Sequence, residues 1–190
     1  MRTFVAAVLL SLGCSYPAPP AAWSAIGSDD PARKPDVPFE TSSDEAIRAM
    51  IALAAPGPSD VVFDLGCGDG RVVIRAVEQT GASGVCVDLD PRLVRLAREN
   101  ARRAGVEAKI RFRTEDLFLT DIHDATVVML FLWPEINLKL LPKLQRELPG
   151  GARIVSNMHD MGALAPERTL ATAPSPTGEP RHVYLWRLPR

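Results

Sequence analysis

The sequence has only three cysteines and three histidines, with no Cys-x-x-Cys pair and no ligand cluster, so no residues have the spacing of a bound metal. It has no excess of charge of one sign: 22 Lys and Arg face 23 Asp and Glu, a formal net charge of -1. That balance excludes a broad basic field for a nucleic acid or an anionic membrane, and any partner must be recognised locally. Aromatic residues make up only 6%. No apolar run reaches the ~20 residues needed to cross a bilayer. With 190 residues, 46% of them hydrophobic, the chain suits one domain of ordinary size plus a short extension, and two full domains are excluded.

The extension lies at the start. Residues 1–14, MRTFVAAVLLSLGC, place Arg2 before an apolar run and small residues, the layout of a secretory signal. Two processing routes fit: lipid attachment at Cys14 after Leu12-Gly13, or ordinary cleavage near Ala22-Trp23-Ser24. The expected organisation is a signal over 1–24, a Pro/Ala-rich tether over 25–36 and a folded domain over 37–190. The protein is thereby expected to be exported, periplasmic or held at a membrane only through Cys14. Cys67 and Cys86 stand alone in core-like segments and read as small buried thiols rather than as a disulfide.

The domain alternates strand and helix. Ser42 and Glu45 have capping-box spacing ahead of an amphipathic helix that Pro56-Gly57 should stop. DVVFDLG from Asp60 reads as a strand, GRVVIRAVEQTG as a helix, GVCVDLD as a second strand, and Asp90-Pro91 as the start of a second crossover helix running toward Gly105. Residues 109–113 form a third strand, the apolar run 125–132 a strand buried on both faces, and 137–148 a helix that Pro142 should interrupt. A fifth strand follows at 152–158, and the tail adds candidates at 168–173 and 183–188. The fold class is α/β, three layers with a mostly parallel sheet.

In such sheets ligands bind beyond the C-terminal ends of the strands. After the first strand stands Asp64-Leu65-Gly66-Cys67-Gly68-Asp69-Gly70, a glycine turn feeding a helix N-terminus. Its spacing is GxGxG. Arg71 stands where a dinucleotide fold needs its third glycine, which excludes a nicotinamide-linked oxidoreductase, and Asp64 suits a cationic or zwitterionic ligand better than a pyrophosphate. After the second strand, Asp88, Leu89 and Asp90 offer a carboxylate to ribose hydroxyls. After the third, Glu115-Asp116-Leu117-Phe118 offers an acceptor for an exocyclic amine and apolar cover for a flat base. The three together describe an adenine nucleoside pocket.

VVFDLGCGDGR, GVCVDLDP and RTEDLF resemble the nucleoside-binding motifs of class I S-adenosylmethionine-dependent methyltransferases. PDVPFETSSDEAIRAMIALA and VVMLFLWPEINLKLLPKLQRELPGGARIVSNMHDMG are similar to small bacterial relatives of the protein-lysine methyltransferases that modify ATP synthase subunit c. The resemblance implies S-adenosyl-L-methionine as cofactor and a Rossmann-like seven-stranded sheet of order 3-2-1-4-5-7-6 with the last strand antiparallel. It implies that Asp64, Gly66, Cys67, Gly68 and Gly70 surround the methionine moiety, that Asp88 and Leu89 meet the ribose, and that Asp116 and Leu117 meet the adenine. Acceptor-side candidates are Trp133, Pro134, Glu135, Asn157, His159 and Asp160, with Phe39 and Glu40 ahead of the first helix. His159 beside Asp160 could be a base with its orienting carboxylate, or a surface loop pair. Trp133-Pro134 could shape an acceptor channel or simply end its strand. No Asn-Pro-Pro-Tyr motif follows the fourth strand, which argues against the enzymes that use it on nucleobases and glutamine. Two functions follow: methyl transfer to an unidentified acceptor, such as a protein lysine, or an exported nucleoside-binding module without catalysis.

Overall fold

β-Branched runs bounded by glycine or charge form the strands, and apolar residues three and four apart form the helices that cover them. In a computed structural model, described for residues 41–174 and 178–190, the elements are α1 (Asp44–Ala54), β1 (Val61–Leu65), α2 (Arg71–Thr80), β2 (Ser83–Asp88), α3 (Pro91–Arg103), a 3-10 turn (Glu107–Lys109), β3 (Ile110–Thr114), β4 (Val127–Leu130), α4 (Pro134–Glu147), β5 (Arg153–Asn157), β6 (Arg168–Thr172) and β7 (Arg181–Arg187). The signal, the tether, Cys14, Phe39 and Glu40 lie outside the described residues.

The sheet order is β3-β2-β1-β4-β5-β7-β6, as the family resemblance implies. Strands β1 to β5 run parallel, and β7 alone is reversed, antiparallel to both β5 and β6. Alternate residues of each strand enter opposite layers. Phe63, Leu65, Val128, Leu130 and Ile154 pack with Ile136, Leu140 and Leu144 of α4. Val62, Val127, Met129 and Val155 pack with α1 and with Val72 and Ala76 of α2. Cys86, Val73, Ile74, Ala97 and Ala101 join α2, α3 and β2 on that second face. At the lower end of the sheet Thr126 donates to Asp60 at 2.7 Å, and Arg153 pairs with Asp60 while donating to the Ala54 carbonyl at 2.7 Å. This ties the beginnings of β1, β4 and β5 to the end of α1, opposite the strand ends that carry the glycine loop.

Three local expectations are corrected. The cap of α1 is Ser43, whose hydroxyl accepts from the Ala46 N–H at 3.2 Å; Ser42 is buried and accepts from the Asn157 amide at 3.2 Å, while Glu45 accepts from Ala173 N–H at 2.9 Å. Only Ser42 has a glutamate three residues on, yet its tertiary contact with Asn157 draws it into the interior and leaves the cap to Ser43. Helix α4 begins at Pro134 and continues through Pro142 without a break. The carbonyl that Pro142 deprives of a donor belongs to Leu138, which is 48% exposed, so water can serve it while the apolar face stays buried. Cys67 and Cys86 are joined in a disulfide, Cα–Cα 5.4 Å, rather than standing as free thiols. Parallel pairing of β1 with β2 puts Asp64 opposite Cys86 and so brings the loop after β1 back over β2, a proximity the separation of 19 residues conceals.

Candidate functional site

Strand order reverses between β1 and β4, so the crevice above them is the ligand position the topology favours. The glycine loop occupies it. Gly66, Gly68 and Gly70 have φ of 81°, 54° and 78°, in the left-handed region. At Gly66 an added Cβ would stand 2.8 Å from Leu132 Cδ2, and at Gly70 it would stand 2.8 Å from Ala97 Cβ on α3. Gly70 therefore performs the close helix packing for which a dinucleotide fold uses a later glycine, and Arg71 is free to open α2. The Gly66 and Cys67 N–H groups donate to the Val87 carbonyl at 2.8 and 3.0 Å, and Asn100 of α3 donates to the Asp69 carbonyl at 3.0 Å. Arg71 pairs with Asp69 at 2.6 Å and reaches the Ser42 carbonyl at 3.5 Å, joining the loop to the segment before α1.

Two carboxylates face this loop, Asp64 buried and Asp88 half-buried. Asp64, 3% exposed at the end of β1, accepts from the Val73 N–H at 3.2 Å and so caps α2, whose own N-cap glycine has no side chain to do so. Burial, reinforced by the negative charges of Asp88 and Asp69, raises its pKa to about 7 despite that hydrogen bond. Asp88 is also held above the ordinary carboxylate range by burial, offset in part by backbone donors. Its two oxygens accept from Gly68 N–H and Asp90 N–H, each at 2.9 Å. A carboxylate has about four acceptor positions, so the backbone donors do not exhaust it and it can still accept from a ribose hydroxyl. Leu89 lies half-buried beside it. Asp116 accepts from Phe118 N–H at 2.9 Å, turning the chain after β3 so that half-buried Leu117 and Phe118 pack back on the core.

The acceptor-side candidates divide. Trp133, 45% exposed, is the N-cap residue of α4, with Pro134 at the first helical position and Glu135 exposed in the first turn. The His159 ring lies alongside those of Phe131 and Trp133, at 6.3 and 6.5 Å between centroids and within 20° of parallel. Asp160 accepts from Gly162 N–H at 2.9 Å, and its charge together with burial raises the Tyr184 pKa, burial being the larger cause. Asn157 is buried and directs its amide at Ser42, away from the aromatic group. Asn137 escaped the sequence reading. Wholly buried on α4, it donates to Ser156 Oγ at 3.2 Å and to the His159 and Asp160 carbonyls at 3.3 and 3.4 Å, while its Oδ1 has no hydrogen-bond partner among the described residues. Its signal was one amide between Ile136 and Leu140 on the apolar face of a helix. Phe131 and the disulfide were the other unread features.

A parallel sheet with a reversed seventh strand, a glycine loop at the switch point and carboxylates after the first three strands define an S-adenosylmethionine-dependent methyltransferase. Residues 64–168 match the family model described as the ANTKMT methyltransferase domain, and the chain belongs to that family. It is 33% identical over 154 residues to a protein-lysine N-methyltransferase of Saccharolobus islandicus, covering 80% of this chain and 94% of that one. It is 38% identical over 120 residues to the adenine nucleotide translocase lysine N-methyltransferase of Mus musculus, covering 63% of this chain and 52% of that protein, so it spans about half the mammalian relative. Among solved structures, an RNA methyltransferase from Salinibacter ruber in complex with S-adenosyl-L-homocysteine is 44% identical with a TM-score of 0.73, covering 80% of this chain and 95% of that one. S-Adenosyl-L-methionine is the cofactor, and the donor set described above fits it: a buried carboxylate for a cation, a carboxylate with acceptor capacity for a hydroxyl, and a loop with glycine at every second position.

Proposed function

We propose that the enzyme moves the methyl group of S-adenosyl-L-methionine to the ε-amine of a lysine in a protein. The observation that carries this reading is the similarity to a protein-lysine N-methyltransferase over 94% of that protein's length. The bound cofactor supplies an electrophilic methyl group already activated by its sulfonium, so the chain's task is placement rather than activation. In this reading Asp64 and the loop of Gly66, Cys67, Gly68 and Gly70 hold the methionine end, Asp88 and Leu89 the ribose, and Asp116 and Leu117 the adenine. Phe131, His159 and Trp133 form a flat rim at the end of β4, where the stem of a lysine would lie on ring faces and its amine would lose water before attack. Asn137 holds the backbone of His159 and Asp160 in place under that rim. The amine attacks as a neutral base, so a proton leaves it for solvent or for the His159 ring. The absence of a separate acceptor domain among the described residues suits an acceptor that docks on an open face. The family and its named relatives are enzymes, and nothing favours a binding module without catalysis.

The export reading belongs here too. The Cys67–Cys86 disulfide suits an oxidising compartment, and supports a leader over residues 1–24 with a possible lipid anchor at Cys14. Among the described residues no helix is long and apolar enough to cross a membrane.

The test offers labelled donor to the full chain with lysine-bearing proteins and with RNA in parallel, and maps the methyl group by mass spectrometry. Label on lysine ε-amines, with Trp133→Ala raising the acceptor KM at least about tenfold and leaving S-adenosylhomocysteine affinity unchanged, is the expected result. Label confined to RNA would overturn the lysine assignment, as the name of the Salinibacter ruber relative makes worth checking.

A further inference from the structure

The Cys67–Cys86 disulfide lies inside the donor site rather than at the periphery of the fold. Cys67 stands between Gly66 and Gly68 in the loop, and Cys86 stands two residues before Asp88 on β2. Both are buried, against Val73, Ile74, Val77 and Ala97 beneath the loop. The bond therefore joins the segment assigned to the methionine end of the cofactor to the strand that carries the ribose carboxylate. Around it run three non-covalent ties between the same two segments: Gly66 N–H and Cys67 N–H to the Val87 carbonyl, and Gly68 N–H to Asp88. The covalent ring so closed contains the rest of the glycine loop, all of α2 and the start of β2. The fold has other support, since β2 is paired in register with β1 on one side and β3 on the other.

We infer that the disulfide is a positioning element of the donor site: the oxidised chain holds the glycine loop over β2 in the binding geometry, and reduction lets the loop move and weakens cofactor binding while the fold persists. This rests on the cofactor assignment and not on the identity of the methyl acceptor. In forming the bond, two thiols lose two protons and two electrons to a disulfide oxidant, which leaves as a dithiol, and one S–S bond joins Cys67 to Cys86. Binding and oxidation are then thermodynamically linked, and each must favour the other by the same factor.

The test measures S-adenosylhomocysteine affinity of the full chain by calorimetry, oxidised and after complete reduction by a phosphine, with the redox state verified by mass. We expect at least about tenfold weaker binding on reduction. The Cys67/Cys86 midpoint potential should then fall by about 30 mV for each tenfold when the nucleoside is saturating. The Cys86→Ala variant should bind as the reduced chain does and lose its sensitivity to reductant. Equal affinities in both redox states with an unmoved midpoint would overturn the inference. Unfolding of the reduced chain, read by circular dichroism, would overturn it by making the bond a determinant of the fold. Absence of binding by the oxidised chain would instead remove the cofactor assignment beneath it.

Discussion

Changing the pH should tune donor affinity through Asp64. In the ligand-free protein this carboxyl is buried, faces the like charges of Asp88 and Asp69, and titrates at about 7 instead of 3.8. Holding it ionised costs about 4 kcal/mol relative to water, at 1.36 kcal/mol per unit. Because the folded pKa is raised, the protonated protein is the more stable one, and this carboxyl removes stability progressively as pH rises from about 4 to about 7. A cationic ligand beside it reverses the preference, so the ligand selects the ionised form and expels a proton on binding. If only that form binds, the apparent dissociation constant scales as one plus ten to the power of 7 minus pH. The affinity for S-adenosylmethionine then rises about 16-fold between pH 5.5 and 7, a window below the α-amino pKa of about 7.7–8.0. Calorimetry at pH 7 in buffers of different ionisation enthalpy should register release of about half a proton. Asp64→Asn should abolish both the slope and the release. A slope that survives in Asp64→Asn, or no slope in the parent, would refute the pairing of this carboxyl with the ligand's cation.

Asp88→Asn keeps the volume but leaves one oxygen for the two backbone donors and the diol, so nucleoside affinity should fall at least about tenfold while the fold persists; because Asp88 helps raise the Asp64 pKa, the pH slope should also move to lower pH in that variant. Gly70→Ala forces a Cβ to 2.8 Å from Ala97 at a φ of 78°, and should cost about 1–3 kcal/mol of stability by denaturant titration; an unchanged midpoint would refute the claim that α3 packs this closely. Asn137→Leu removes the donor to the His159 and Asp160 carbonyls and should lower kcat with the cofactor affinity unchanged, measured by transfer assay beside calorimetry.

The alternation of strands and helices was legible because the central strands β1, β2 and β5 are rich in β-branched residues and α2 and α3 are closed by Gly81 and Gly105. The residues assigned to the donor were legible as positions, because the glycine loop, Asp88 and Asp116 each lie at or just after the end of a strand. What escaped were features that depend on residues far apart. Ser42 has the capping-box glutamate and Ser43 does not, yet Ser42 bonds Asn157, 115 residues away, and Ser43 caps the helix. The cysteines look solitary until β1 and β2 pair. Pro142 breaks a helix in isolation, yet here Ile136, Leu140 and Leu144 bury one continuous face and the disrupted carbonyl faces water. The aromatic group was only half visible, since Trp133 and His159 are named by their positions after strands whereas Asn137, which donates to the His159 and Asp160 carbonyls, looks like a core position filled by the wrong residue.

The reversal of β7 has a consequence for how the chain is divided. Because β7 runs against its neighbours, it begins where β5 ends: Asn157 stands opposite Val183, and the Met158 N–H donates to the His182 carbonyl at 2.7 Å. The connection between Thr172 and Arg181 thus leaves and re-enters the sheet at the rim that carries the aromatic rings, not at the lower end locked by Asp60 and Arg153. Everything assigned to the donor lies before residue 120, and everything at the acceptor rim comes after residue 130. Lengthening or exchanging the β6–β7 connection would therefore change the end of the sheet where β4 and β5 finish while leaving the glycine loop, Asp88 and Asp116 as they are, so that one half of the chain can vary while the other is kept.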